Sequence, residues 1–112
     1  MKIIKAVVRP HLYEDLAEAL AGIGVVGVTA TECMGYGRQK GHTAVYRGAE
    51  YDVKFVSKVN LEIVVEDDRV EDVVRLIESV ARSGEVGDGK IFIKELDDAI
   101  RIRDGQRGNR VL

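Results

Sequence analysis

Twice along this chain the spacing of apolar residues switches from the period of two of a strand to the 3.6 of a helix and back, a pattern that few small folds satisfy. Residues 2–9, KIIKAVVR, place Ile4, Ala6 and Val8 on one strand face and Ile3 and Val7 on the other. Pro10 closes this strand, and residues 11–23 follow as a helix with Tyr13, Leu16, Ala17 and Leu20 on one stripe. Glu14, Asp15 and Glu18 face water, and acids in a first turn suit the helix dipole. Gly22, Gly24 and Gly27 mark the exit into a second strand at 28–34. The second half repeats the order. Val59, Leu61, Ile63 and Val65 alternate with Asn60, Glu62 and Val64, then Asp67 and Asp68 stand ready to cap a helix whose stripe is Val70, Val73, Val74, Ile77, Val80 and Ala81. Gly84 ends that helix, 91–96 forms a fourth strand, Asp97 and Asp98 start a turn, and 100–103 reads as a brief extended piece before a polar, mobile end.

The order βαββαβ in two similar halves predicts an α+β, ferredoxin-like sandwich: a four-stranded antiparallel sheet with both helices on one face. At 112 residues and 46% hydrophobic, the chain fits one domain, 1–112. The strands carry apolar residues on both faces, so the uncovered sheet face is expected to be an interface in a homo-oligomer. Charges nearly balance at a formal net of −2, and the pI near 5.7 argues against a general nucleic-acid binder. The single Cys33 excludes an internal disulfide and a cysteine-rich zinc site, and reads as a buried thiol in a reducing cytoplasm. Lys5 and Arg9 interrupt the apolar N-terminal stretch, so neither a signal h-region nor a membrane span is expected there.

Between the halves lies the stretch 35–58, GYGRQKGHTAVYRGAEYDVKFVSK, with no clear period until about Val53. Connections this long are uncommon and usually functional or disordered. It sets Arg38, Lys40, Arg47, Lys54 and Lys58 against Glu50 and Asp52, and mounts Tyr36, Tyr46 and Tyr51 among glycines, so it reads as a projecting loop that contacts a partner.

Gly84, Gly89 and Lys90 spell G-x-x-x-x-G-K, but Ile91 replaces the magnesium-holding hydroxyl and the loop runs from helix into strand, the reverse of a P-loop. A P-loop NTPase is rejected. Gly87 and Gly89 still let backbone N–H groups approach an anion beside Lys90, and the competing interpretation is a helix end followed by a turn. Arg101 and Arg103, alternating on one side of the terminal extended piece, would converge on a phosphate; a solvated edge is the commoner role for such a pair. His11 and His42 lack metal-ligand spacing and nucleophile company. Tyr51 reads either as packing at the loop base or as an accessible acceptor for covalent modification.

Residues 46–51, YRGAEY, resemble the first signature of the PII nitrogen-regulatory signal proteins, and 83–93, SGEVGDGKIFI, resemble the second, with GRQKG at 37–41 between them. The resemblance runs from Met1 to about Gly108. It implies a homotrimer with three clefts between subunits, each binding ATP or ADP competitively. By position, Thr29, Gly37, Arg38, Glu62, Val64, Gly87, Asp88, Gly89, Lys90, Arg101 and Arg103 would line the nucleotide site. Gln39, Lys40, Gly41 and Lys58 would take 2-oxoglutarate, with Lys58 on its distal carboxylate and Gln39 on a Mg²⁺ that bridges it to ATP. Loop shape would then report energy charge and carbon supply together. Arg47 would enter an ammonium-transporter pore, other loop shapes would engage cytoplasmic enzymes of nitrogen metabolism, and Tyr51 would accept a uridylyl or adenylyl group from a nucleotidylyltransferase.

The chain departs from that pattern at several points. Ala49 removes a hydroxyl that some relatives phosphorylate, Lys54 replaces a common acid, Ser57 a frequent proline and Ser83 the usual threonine, and Arg107 and Arg110 stand where acids often occur. The expectation is an allosteric regulator, not an enzyme. A ferredoxin-like phosphatase would need a convergent nucleophile that the sequence does not offer. A sheet-surface RNA binder would need stacking platforms beyond Phe55 and Phe92.

Overall fold

The computed structural model describes residues 1–36, 42–46, 49–53 and 55–112, the two middle ranges for their backbone alone. Strands β1 (Lys2–Val8), β2 (Val28–Gly35), β5 (Val56–Val65) and β6 (Lys90–Glu95) make one antiparallel sheet in the order β2-β5-β1-β6. Helices α1 (Tyr13–Gly22) and α2 (Val70–Ala81) connect them. The expected ferredoxin-like order is therefore present.

Register explains the core. Ile4 stands opposite Ile63 and Ile93, and Ala6 opposite Leu61 and Ile91, so one sheet face is aliphatic along its length. Ile4, Ala6, Leu61 and Ile63 have no exposed surface, and neither do Leu16 and Leu20 of α1 or Val73 of α2. Arg69 adds a polar tie, donating through Nη2 to the Ile23 carbonyl just beyond the end of α1.

Cys33, expected to be buried, is only half-buried on β2. Further local expectations shift at four places. Tyr13, placed by periodicity on the buried stripe, is exposed, because a 3-10 turn over Pro10–Leu12 turns Leu12 toward the core instead. Asp67 caps no helix. Its carboxylate binds the amino terminus of Met1 at 3.0 Å and Lys2 at 3.4 Å, and that first contact chiefly holds its pKa below the usual value. The extended piece expected at 100–103 is instead one bridge, Ile100 to Arg107, with the chain reversing between them. Asp104-Gly105, with Gly105 at φ +72°, supplies the turn residues that force this reversal.

The fourth difference lies in the long connection. Its described backbone holds a second, two-stranded antiparallel sheet of β3 (His42–Tyr46) and β4 (Ala49–Val53), paired from His42↔Val53 to Tyr46↔Ala49. The β-favouring run from Thr43 to Tyr46 explains a strand pair where the sequence shows no period. At its base, the exposed rings of Tyr36 and Phe55 meet with centroids 6.0 Å apart.

The open sheet face is mixed, not simply apolar. Lys5 pairs with Glu62 at 3.6 Å, and Asn60 Nδ2 donates to Glu62 at 3.4 Å. Half-buried Ile3, Val7 and Val64 lie between these polar groups, and Phe92 is exposed beside them. Asn60 Oδ1 is buried and, among the described residues, accepts no hydrogen bond.

Candidate functional site

The chain leaves α2 at Ala81, runs extended at Arg82 and reaches β6 only at Lys90. Asp88 builds this connection. Its carboxylate accepts the backbone N–H groups of Ser83 and Gly84, each at 2.8 Å, together with the Ser83 hydroxyl and the Arg9 guanidinium. Those donors, the Ser83 hydroxyl first and Arg9 next, hold the carboxyl far below the ordinary carboxylate range. Arg9 also donates to the Val86 carbonyl at 3.1 Å, fastening the loop to the end of β1.

Glycine is required at the far side of the loop. Gly87 and Gly89 have φ of +106° and +99°, and a Cβ on Gly89 would fall 1.7 Å from the Val7 carbonyl oxygen. Bare backbone therefore lies against the end of the sheet, next to Lys90 at the start of β6. Lys58, only 8% exposed, donates from Nζ to the Gly87 carbonyl at 2.7 Å. Burial lowers its pKa, and the charge of Arg9 lowers it further. Three cations, Arg9, Lys58 and Lys90, thus stand around a loop in which Asp88 is already bound and Glu85 is exposed to solvent. Such a cradle fits a phosphate or another multiply charged anion.

The remaining expected residues lie elsewhere. Thr29 stands opposite Glu62, and Val64 opposite Ile3. Along β5 these positions are four and six residues from Lys58, roughly 13 and 20 Å at the rise of a strand. The chain exits β6 at Glu95, opposite Lys2, and the Leu96 N–H donates to the Met1 carbonyl. Arg101 and Arg103 therefore follow from the opposite end of β6 to Lys90. One chain thus separates the glycine loop and Lys90, at the start of β6, from Arg101 and Arg103, which follow its other end, with Glu62 between them at mid-sheet opposite Lys5.

Gly37, Arg38, Gln39, Lys40, Gly41 and Arg47 lie outside the described residues. Tyr51 sits in β4 opposite Ala44. Among the described residues, no three His, Cys, Asp or Glu side chains form a metal-binding group, and Gln39, the expected magnesium contact, is not among them. Sequence reasoning missed Arg9, Ser83 and Asp104. Arg9 and Asp88 are 79 positions apart, and no local pattern connects them. Asp104 next to Gly105 was a legible turn signal.

Fold and loop together define a ferredoxin-like α+β domain with a glycine-rich loop, flanked by cations, between its second helix and last strand. The chain belongs to the nitrogen regulatory protein P-II family, whose model matches residues 1–106. It is 51% identical over 108 residues to nitrogen regulatory protein P-II of Rhodospirillum rubrum, covering 96% of each chain. To nitrogen regulatory protein GlnK of Escherichia coli K12 it is 45% identical over 112 residues, the full length of both. Nitrogen regulatory protein P-II of Azospirillum brasilense is 47% identical over 108 residues, 96% of each chain.

Proposed function

We propose that the protein is a P-II-type signal-transduction protein, not an enzyme, that binds ATP or ADP and 2-oxoglutarate in clefts between three copies of the chain. It would regulate nitrogen-metabolism targets through the stretch 35–58. The relatives' names support a regulatory role in nitrogen metabolism. The observation that carries the cleft is that the length of β6 separates the glycine loop and Lys90 from Arg101 and Arg103 within one chain. A second copy supplies what the first lacks, with Gly87, Gly89 and Lys90 from one chain facing Thr29, Glu62, Val64, Arg101 and Arg103 from another. The open sheet face, with half-buried Ile3, Val7 and Val64 and exposed Phe92, is a surface suited to such assembly.

In this account the glycine loop receives the phosphates on bare backbone, Lys90 adds a point charge, and the arginines close the other side. Gln39 would hold Mg²⁺, which would supply positive charge against the anionic ligands. Lys40 and Gly41 would complete the metabolite's surroundings, and Lys58 would exchange the Gly87 carbonyl for its distal carboxylate. Because that exchange touches the nucleotide loop itself, the two ligands are linked. Partners would be an ammonium transporter reached by Arg47, cytoplasmic enzymes, and a nucleotidylyltransferase acting on Tyr51. The site of action would be the cytoplasm, including the inner membrane face when a transporter is engaged. Among the described residues, no helix is long and apolar enough to cross a membrane.

A second reading, a nucleotide regulator without a 2-oxoglutarate response, draws on Lys58 being buried and already bonded to Gly87. Calorimetric titration of 2-oxoglutarate separates the two. Binding with Mg-ATP, but not with Mg-ADP or with ATP plus EDTA, is expected. Lys58→Ala and Gln39→Ala should abolish it while retaining most ATP binding. Nucleotide binding without any metabolite response favours the second reading, and equal loss of both ligands contradicts the residue assignment.

A further inference from the structure

Arg101 already holds an anion. Its Nε lies 3.1 Å from each carboxylate oxygen of Asp104 and its Nη2 lies 2.8 Å from Oδ2, the side-on geometry in which a guanidinium also takes a phosphate. The same Nη2 donates to Gln106 Oε1 at 2.7 Å. Arg103 Nη2 is 4.0 Å from the same Asp104 oxygen, so one carboxylate stands between both arginines assigned to the nucleotide. The backbone keeps it there: Gly105 N–H donates to the Arg101 carbonyl at 2.8 Å, and Arg101 N–H to the Gln106 carbonyl at 2.9 Å. Arg101 and Asp104 are each about one-third exposed, so an incoming anion reaches the pair from solvent.

We infer that Asp104 is an internal counter-anion that sets nucleotide affinity, occupying Arg101 in the ligand-free chain and yielding it to a phosphate group. The inference rests on the nucleotide reading above. A terminal phosphate carries up to about two negative charges against the single charge of Asp104, so the competition favours polyphosphate ligands over carboxylates. The lowered pKa of Asp104, caused first by Arg101 and then by the Gln106 amide, agrees with the carboxylate being engaged in the free chain.

The test is calorimetric titration of ATP into the wild type, Asp104→Asn, Asp104→Ala and Arg101→Ala, at low and high salt, with each fold checked by circular dichroism. Asparagine removes the charge but keeps an acceptor for the Gln106 N–H, which lies 3.1 Å from Asp104 Oδ1, whereas alanine removes both. Both Asp104 variants are expected to bind ATP about two- to fivefold more tightly than wild type at low salt, the range of a part-exposed ion pair. That gain should narrow at high salt. Unchanged affinity in both overturns the inference. So does weaker binding by Asp104→Ala with Asp104→Asn unchanged, which would make Asp104 a scaffold for the turn. Wild type and Arg101→Ala binding ATP equally would overturn the assignment of Arg101 itself, and the inference with it.

Discussion

A carboxylate with four donors is the hinge of the glycine loop, and its chemistry is testable with acid. Asp88 is ionised in the folded chain far below its normal range, so its contribution is complete above the unfolded carboxyl pKa of about 3.9. That contribution is lost progressively as pH falls below this value toward the lowered native one. Urea denaturation of wild type and Asp88→Asn should therefore show a stability gap that is constant near neutrality and closes below about pH 4. A gap that stays open in acid would assign the stabilisation to shape instead of charge. Residue types at 83–90 left this loop open in the sequence between an anion site and a helix end followed by a turn. They did not reveal that Asp88 faces inward, since Arg9 arrives from another strand.

Alternation and helical stripes made the elements readable wherever one face is buried. Val59 through Val65 and Val70 through Ala81 behave as their periods require. The exceptions have local causes: the Pro10 turn moves Tyr13 outward, and the Asp104-Gly105 turn replaces an extended end. Residues 42–53 hid a hairpin because a two-stranded ribbon need not bury one face, so the period that betrays a strand is absent. The corrected stripe has a measurable consequence. Leu16→Ala should cost about 2–5 kcal/mol, and Tyr13→Ala under about 1 kcal/mol, since Tyr13 is 41% exposed and Leu16 has no exposed surface. Equal losses in urea denaturation would restore Tyr13 to the stripe.

Across the whole molecule, the sequence announced the topology and, through two signatures, the family. It could not announce that one chain separates the residues assigned to one ligand. Separation is a property of register: Lys90 begins β6 opposite Val7, while the arginines follow its exit beside Lys2. Glu62, with Thr29 opposite it, and Val64 do not join Lys58, because strand rise sets those β5 positions roughly 13 and 20 Å away. As proposed above, two chains complete each nucleotide site. Co-expression of Lys90→Ala and Arg101→Ala chains under different tags, with tandem purification of mixed assemblies and ATP titration, tests it directly. Each variant alone should bind ATP poorly, and each mixed trimer should recover about one working cleft, formed where the two intact halves meet. Mixed trimers that bind no better than either parent would contradict the account and place the whole site within a single chain.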